Sequence, residues 1–264
     1  MKLFVVNVEL ATERRRRLER QFESLGLKAT FFRALDARKL SEEDYARVDR
    51  ESRRRLGLWP QADGSIANWI SQRRIMREIV DGDTEIAAIF EDDAGLSPEL
   101  PVVLEALESR PFSFDVVKLN RRSLSRTFIP VELLPTGHRV GRVRYHDYGN
   151  EGYVITRDAA QHFLKNTPKM MWEIDQALPR FWENGLNVYY LDPPVVFHDE
   201  RNDSQIEQFR RISRRKQKDT DAAMVILWRR VSSALVRMVR RHLAFRRLMR
   251  GEIGVTPWPP NSDR

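Results

Sequence analysis

Three consecutive acids, Glu91, Asp92 and Asp93, follow directly on the apolar run Ile86-Ala87-Ala88-Ile89-Phe90. Carboxylates this close repel one another, and beside a core element they are costly unless a cation or solvent compensates them. An all-oxygen ligand set suits Mn²⁺ or Mg²⁺, ions that take one or two carboxylates and leave further positions to substrate phosphates. In an extended segment alternate side chains share a face, so Glu91 and Asp93 are expected on one side and Asp92 on the other. The plainer reading is an acidic loop after a strand, and the triplet alone does not separate the two.

The elements around the triplet read as alternating strands and helices. Leu3–Val8 is a buried strand, and Thr12 is expected to cap a helix whose apolar positions Leu18, Phe22 and Leu25 recur at helical spacing, with Gly26 as its stop. A second strand falls at 29–33. Ser41 with Asp44 resembles a capping box opening a charged helix that fades near Leu56. After a loop over 57–64 with a Trp-Pro pair, a helix over Ile66–Val80 leads through Asp81-Gly82-Asp83 into the strand Ile86–Phe90. Ser97-Pro98-Glu99 reads as a helix start with Ser97 as the cap. Phe114–Leu119 is a further strand, and 121–141 is expected to be irregular. Val140–Tyr145, Tyr153–Thr156, Val188–Leu191 and Val195–His198 look extended; Asp158–Lys165 and Glu173–Asn184 look helical. This alternation predicts an α/β fold with a mostly parallel sheet and crossover helices, whose ligands sit beyond the carboxyl ends of strands.

Composition narrows the function. The 264 residues can bury a sizeable core, and no apolar stretch approaches the roughly 18 residues of a spanning helix. Met1-Lys2 runs straight into a four-residue apolar segment, too short for a signal-peptide core, and there is no cysteine. An intracellular protein is expected, with any metal held by carboxylates or histidines. The net charge of +8 is unevenly spread. Residues 1–206 sum to −2 and residues 207–264 to +10, giving two expected units, a neutral catalytic domain over 1–206 and a basic helical tail over 207–264.

Several segments in order resemble glycosyltransferase family 25, the bacterial lipooligosaccharide-type galactosyltransferases and their relatives. These are Phe4-Val5-Val6-Asn7-Val8 with Arg14 and Arg17, then Phe32-Arg33-Ala34-Leu35-Asp36-Ala37, then Gly64-Ser65-Ile66-Ala67-Asn68-Trp69-Ile70-Ser71-Gln72. Ile89-Phe90-Glu91-Asp92-Asp93-Ala94 matches that family's most distinctive motif. Asp115–Leu119, Tyr148-Gly149 with Gly152–Arg157, Glu173-Ile174-Asp175, Pro193-Pro194-Val195 and Ser204-Gln205-Ile206 follow. The chain departs from the family where its Ser-His pair is Ser71-Gln72, and where its usual cysteine and tryptophan are Asn68 and Met76.

The resemblance implies a GT-A type, Rossmann-like domain taking a UDP-sugar, galactose favoured, and inverting the anomeric carbon. Asp93 is then the first metal ligand and Glu91 the second. Asp92 falls to the donor ribose or sugar, and His198, just past a strand, completes the coordination or is a solvated loop histidine. Asp175 is the candidate base for the acceptor hydroxyl; otherwise it is an acid stabilised in a helix's first turn. Asn7, Arg14, Ser71, Lys118, Gly149 and Gly152 are expected around the donor, and Arg121 is a further cation for the diphosphate. The acceptor is expected to be a glycan or glycolipid such as a lipopolysaccharide precursor. The competing reading is a domain that has lost turnover and serves as a membrane scaffold.

In the tail, Met224, Trp228, Val231, Leu235, Met238, His242, Phe245 and Met249 recur every three or four residues, with arginines filling the other faces. Such a helix over 222–250 suits an anionic membrane surface, which would place the protein peripherally on the cytoplasmic face of a bacterial inner membrane. The alternative is that the stripe packs on the catalytic domain or a second subunit. No nucleic-acid recognition motif accompanies the charge.

Overall fold

The computed structural model describes residues 1–58, 60–109, 112–122, 128–144, 149–199 and 223–251, with the side chains of the last segment from Trp228 onward. Trp59, Tyr145, Tyr148, Ser204–Ile206 and the expected boundary at 206/207 lie outside the described residues. The elements are β1 (Lys2–Asn7), α1 (Thr12–Ser24), β2 (Thr30–Arg33), α2 (Glu42–Ala46), α3 (Arg50–Arg55), α4 (Asp63–Asp81), β3 (Ile86–Glu91), β4 (Ala94–Leu96), α5 (Leu100–Glu108) and β5 (Val116–Lys118). They continue as β6 (Phe128–Leu133), β7 (Arg139–Val143), β8 (Gly152–Thr156), α6 (Arg157–Asn166), α7 (Ile174–Ala177), α8 (Phe181–Asn184), β9 (Val188–Asp192), β10 (Val196–His198) and α9 (Ala223–Met249).

Eight strands form one sheet in the order β2-β1-β3-β8-β5-β9-β7-β6, and β10 pairs with β4 in a second, two-stranded sheet. The register makes β8 antiparallel to both its neighbours and β7 antiparallel to both of its own. The other six strands run in one direction. The expected mostly parallel α/β sheet is therefore present, with two strands reversed within it.

Strict alternation along the central strands divides the core into two layers. Phe4, Val6, Ala87, Ile89, Tyr153 and Ile155 pack with Ile66, Trp69 and Ile70 of α4 and Phe163 of α6. Leu3, Val5, Ile86, Ala88, Phe90 and Val154 pack on the opposite face with Leu18 and Phe22 of α1 and Leu100, Val103 and Leu107 of α5. With both faces covered, β3 reads as a continuous apolar run, as a buried strand should.

The local signals fared unevenly. The capping box is formed, Ser41 Oγ accepting from Asp44 N and Asp44 Oδ2 accepting from Ser41 N. Gly26 follows α1 at φ +67°, as a left-handed stop requires. Thr12 is the first helical residue rather than the cap. Ser97 does not cap α5, which starts three residues later with Pro101 in its first turn; its hydroxyl accepts from Glu99 N within a preceding turn. The expected helix over Glu173–Asn184 is two short helices with Pro179 between them, since proline cannot donate to a helical ladder. Within 121–141 the structure forms β6, paired antiparallel with β7 across Thr136-Gly137. Pro130 and an irregular register had masked its period, which an edge strand tolerates.

Candidate functional site

The site lies where β1, β3 and β5 end. β1 ends on Asn7, β3 on Glu91 and β5 on Lys118. Because β8 is reversed, its first residue Gly152, and Glu151 just before it, enter at that same edge between β3 and β5. In the order β2-β1-β3 the chain leaves β1 towards opposite sides, the switch point at which doubly wound sheets open a crevice. A cleft of about 340 Å³ is found there, lined by Arg14, Asp36, Asn68, Glu91, Asp92 and Asp93 among others.

The alternation of β3 decides the partners of the first two acids. Glu91 continues the face of Ala87 and Ile89, towards α4, where Asn68 Nδ2 donates to its Oε1 at 2.9 Å. Burial pushes the Glu91 carboxyl up to about 8, and the neighbouring charges of Asp93 and Glu151 add to the rise. Asp92 turns to the α1 face. Its Oδ2 accepts from Asn7 Nδ2 at 3.0 Å and its Oδ1 from Arg14 at 3.2 Å. Burial raises this carboxyl too, opposed by the Arg14 charge and the Asn7 hydrogen bond.

The strand ends at Glu91 and the chain turns through Asp92 and Asp93, yet Asp93 stays close enough to Glu91 for their charges to repel. It also meets His198. The antiparallel pairing of β10 with β4 sets His198 opposite Ala94, and Asp199 N donates to Asp93 O at 3.0 Å. His198 Nδ1 lies 3.6 Å from Asp93 Oδ2 and 3.7 Å from Glu151 Oε1. Asp93 Oδ1 and His198 Nδ1 are both buried without a hydrogen-bond partner among the described residues. Burial, then repulsion from Asp92, raises the Asp93 carboxyl.

Glu151 is fully buried and was not singled out from the sequence. Asn120 Nδ2 donates to its Oε2 at 2.5 Å and Arg122 Nε to its Oε1 at 2.7 Å. Asp175, in the first turn of α7, accepts from Gly149 N through Oδ2 at 3.3 Å, while its buried Oδ1 has no partner among the described residues. Asp93, Glu151 and His198 thus lie together, and Glu91 feels the charges of Asp93, Glu151 and Asp175.

Two expected donor contacts, Ser71 and Lys118, are internal braces. Ser71 Oγ accepts from Leu35 N at 2.8 Å and donates to Ala67 O at 2.7 Å. It is fully buried and pins the segment that lines the cleft without reaching it. Lys118 is also fully buried; its Nζ donates to Gly149 O at 2.8 Å and to Asn150 Oδ1 at 2.7 Å, holding that turn. Gly152 has ordinary backbone angles, and a Cβ there would come within 3.0 Å of Val196 and 3.1 Å of Phe90, so packing requires the glycine. Asp92 lines the cleft with both oxygens already engaged by the protein. Gly149, at φ +99°, needs its glycine for both angle and space. Arg121 points away from the site, to Asp192 at 2.6 Å; Arg122 faces the site in its place.

Asn68, Glu151, Arg122 and Asp36 were therefore missed. For Glu151 the signal lay in the sequence, an acid between two glycines at the start of a strand. Gly149 and Gly152 were expected near the donor, and the acid between them was passed over. Asp36 ends the segment after β2 and caps the turn over 37–39, a pattern that marks a turn as readily as a ligand.

Among the described residues no three of His, Cys, Asp and Glu converge into a complete metal cage. Asp93 and His198 make a two-sided seat of one oxygen and one nitrogen, a donor set that fits Mn²⁺ when substrate phosphates and water supply the rest of its shell.

Comparison with known proteins gives the chain's family. The model of glycosyltransferase family 25 (LPS biosynthesis protein) matches residues 1–178. A glycosyltransferase 25 family member of Aedes aegypti is 25% identical over 203 residues, 72% of this chain and 32% of its own length. Procollagen galactosyltransferase 1 of Danio rerio is 23% identical over 67% of this chain and 31% of its own length, and procollagen galactosyltransferase 2 of Homo sapiens 21% over 77% and 32%. The chain thus spans about a third of the length of the curated relatives it matches. Among solved structures, the inositol-1-phosphate CTP transferase of T. maritima aligns at 14% identity over 84% of this chain and 80% of its own, with a TM-score of 0.37. A glycosyltransferase involved in glycosylating the major capsid of PBCV-1 aligns at 10% over 81% and 98%, also at 0.37.

Proposed function

Because the chain belongs to glycosyltransferase family 25, we propose that it transfers a hexose, galactose first among candidates, from a UDP-sugar to a glycan or glycolipid acceptor with inversion at the anomeric carbon. The observation that carries this reading is the cleft at the β1/β3 switch point, with the acidic triplet at its floor and Asp36 on its β2 side. Asp36 is held ionised, its carboxyl lowered to about 2 by the hydrogen bonds from Arg38, which suits an acceptor for ribose hydroxyls.

Asp93 and His198 would hold a divalent ion, with Glu91 as the second carboxylate beside it. Such an ion supplies positive charge to the leaving diphosphate. The chain's own residues carry the other tasks. Asn7 and Arg14 fix Asp92, and with it the turn that carries Asp93. Lys118 fixes Gly149, whose amide orients Asp175. The free Oδ1 of Asp175 takes the proton of the acceptor hydroxyl as its oxygen bonds to the anomeric carbon and the bond to the diphosphate oxygen breaks, releasing UDP.

A thermal-shift series with UDP and UDP-galactose, with and without Mn²⁺, tests this directly. We expect stabilisation by UDP and Mn²⁺ together, and Asp93→Ala to lose the Mn²⁺-dependent part. Stabilisation that persists in Asp93→Ala would remove the metal assignment. No stabilisation by any nucleotide-sugar would remove the donor assignment.

A further inference from the structure

Helix α9 is mounted opposite to what its composition suggests. Among its described side chains, from Trp228 onward, the inner side carries polar residues: Ser233 donates to Leu56 O at 3.0 Å, Arg237 lies over the Trp172 ring at 5.5 Å, and His242 sits 3.0 Å from Arg144. Towards the end apolar residues turn inward, Phe245 buried beside Phe181 and Trp182 of α8 and Leu248 lining the same pocket. The expected stripe from Trp228 to Met238 therefore does not pack on the domain. It faces out, with Trp228 72%, Val231 61%, Leu235 56% and Leu243 54% exposed and Val239 beside them. From Trp228 to Leu243 this apolar face runs about 22 Å at 1.5 Å per residue, long for a patch left in water.

We propose that the outward face of α9, formed by Trp228, Val231, Leu235, Val239 and Leu243, seats on an anionic lipid surface. Charge complementarity selects this occupant. Exposed Arg240, Arg246 and Arg247 flank and follow the stripe, and residues 207–264 carry a net +10. A second copy laid on the face would bring this charge against itself, whereas lipid phosphates accept it. The many arginines rule out burial of the whole helix in hydrocarbon, so α9 lies in the interface with its apolar side down. The attachment has a direction, too. Trp172, under Arg237, is three residues from Asp175, so docking fastens the membrane to the segment that carries the proposed base. Resting on the proposed reaction, this favours a lipid-linked acceptor.

Flotation of the full chain with vesicles of phosphatidylglycerol and phosphatidylcholine in equal parts, and of phosphatidylcholine alone, tests the proposal without any sugar chemistry. The protein should float with the anionic vesicles only. Leu235→Glu and Leu243→Glu, both at exposed positions, should each lower binding about tenfold or more with an unchanged melting temperature. Arg246→Glu with Arg247→Glu should abolish the preference for anionic lipid. A chain that stays unbound overturns the proposal. So does a chain that elutes as a dimer which Leu235→Glu splits without changing vesicle binding, since the face is then a contact between copies.

Discussion

Asn7 and Asp92 stand 85 positions apart in the chain and meet at 3.0 Å, the amide of one donating to the carboxylate of the other. With Arg14 on the second oxygen, Asp92 becomes a brace between β1, α1 and the turn that carries Asp93. Removing Arg14 leaves a largely buried carboxylate without its charged partner. Arg14→Ala is expected to destabilise the fold by about 1–3 kcal/mol and to weaken Mn²⁺-dependent stabilisation by UDP, although Arg14 need not touch the ion. Urea denaturation and the thermal-shift series, run side by side, check both parts.

Glu91 predicts a pH dependence. Its folded carboxyl titrates at about 8 and its ordinary value is 4.5, so the folded state holds a proton that the unfolded chain has released. Stability from this group is full below about 4.5, falls as pH rises, and is spent above about 8. Glu91→Gln, which keeps the Asn68 contact without the charge, should flatten that slope. In metal-free buffer the variant should melt higher than the parent at pH 8 and level with it at pH 4.5. Equal slopes in the two proteins would show that Glu91 is ionised throughout.

Two glycines with positive φ separate strain from space. Gly137, at +83°, has nothing within 4 Å of an added Cβ, whereas at Gly149 that Cβ would meet Arg122 Nε at 2.5 Å and Glu151 Oε2 at 2.6 Å. Gly137→Ala is expected to cost about 1 kcal/mol, the left-handed penalty alone. Gly149→Ala should cost several times that and abolish transfer, because the clash falls on the pair that faces His198. Paired chemical denaturation and activity measurements give the comparison.

Lys118→Met tests whether that buried ammonium is a brace or a donor contact. Gly149 O and Asn150 Oδ1 would each lose a charge-assisted partner, a loss of about 2–4 kcal/mol. A protein of parental stability with a raised KM for UDP-sugar would instead return Lys118 to the diphosphate.

Much of this was legible along single elements. The apolar run of β3 announces a strand covered on both faces, and the triplet after it falls at a strand's carboxyl end whatever the neighbouring topology. Legibility stopped where partners come from reversed or distant strands. His198 entered only through the resemblance, and the β4–β10 pairing is what sets it beside Asp93. Lys118 read as a free cation because nothing local shows that Gly149 and Asn150 close over it. In α9 the heptad-like spacing is plain, yet spacing cannot say which side faces inward when arginines stack on tryptophan as readily as they solvate.

The reversal of β8 has a mechanical consequence. Tyr153 is in register with Ile89 on one side and Lys118 on the other, so one short strand is stitched to both halves of the site. The triplet on β3 and the Gly149–Asp175 wall beside β5 are therefore coupled through two rows of backbone hydrogen bonds, not across an open crevice. Substrate that displaces one half must drag the other with it. Opening and closing are left to the segments outside the ladder, with the donor and base sides held at a fixed separation.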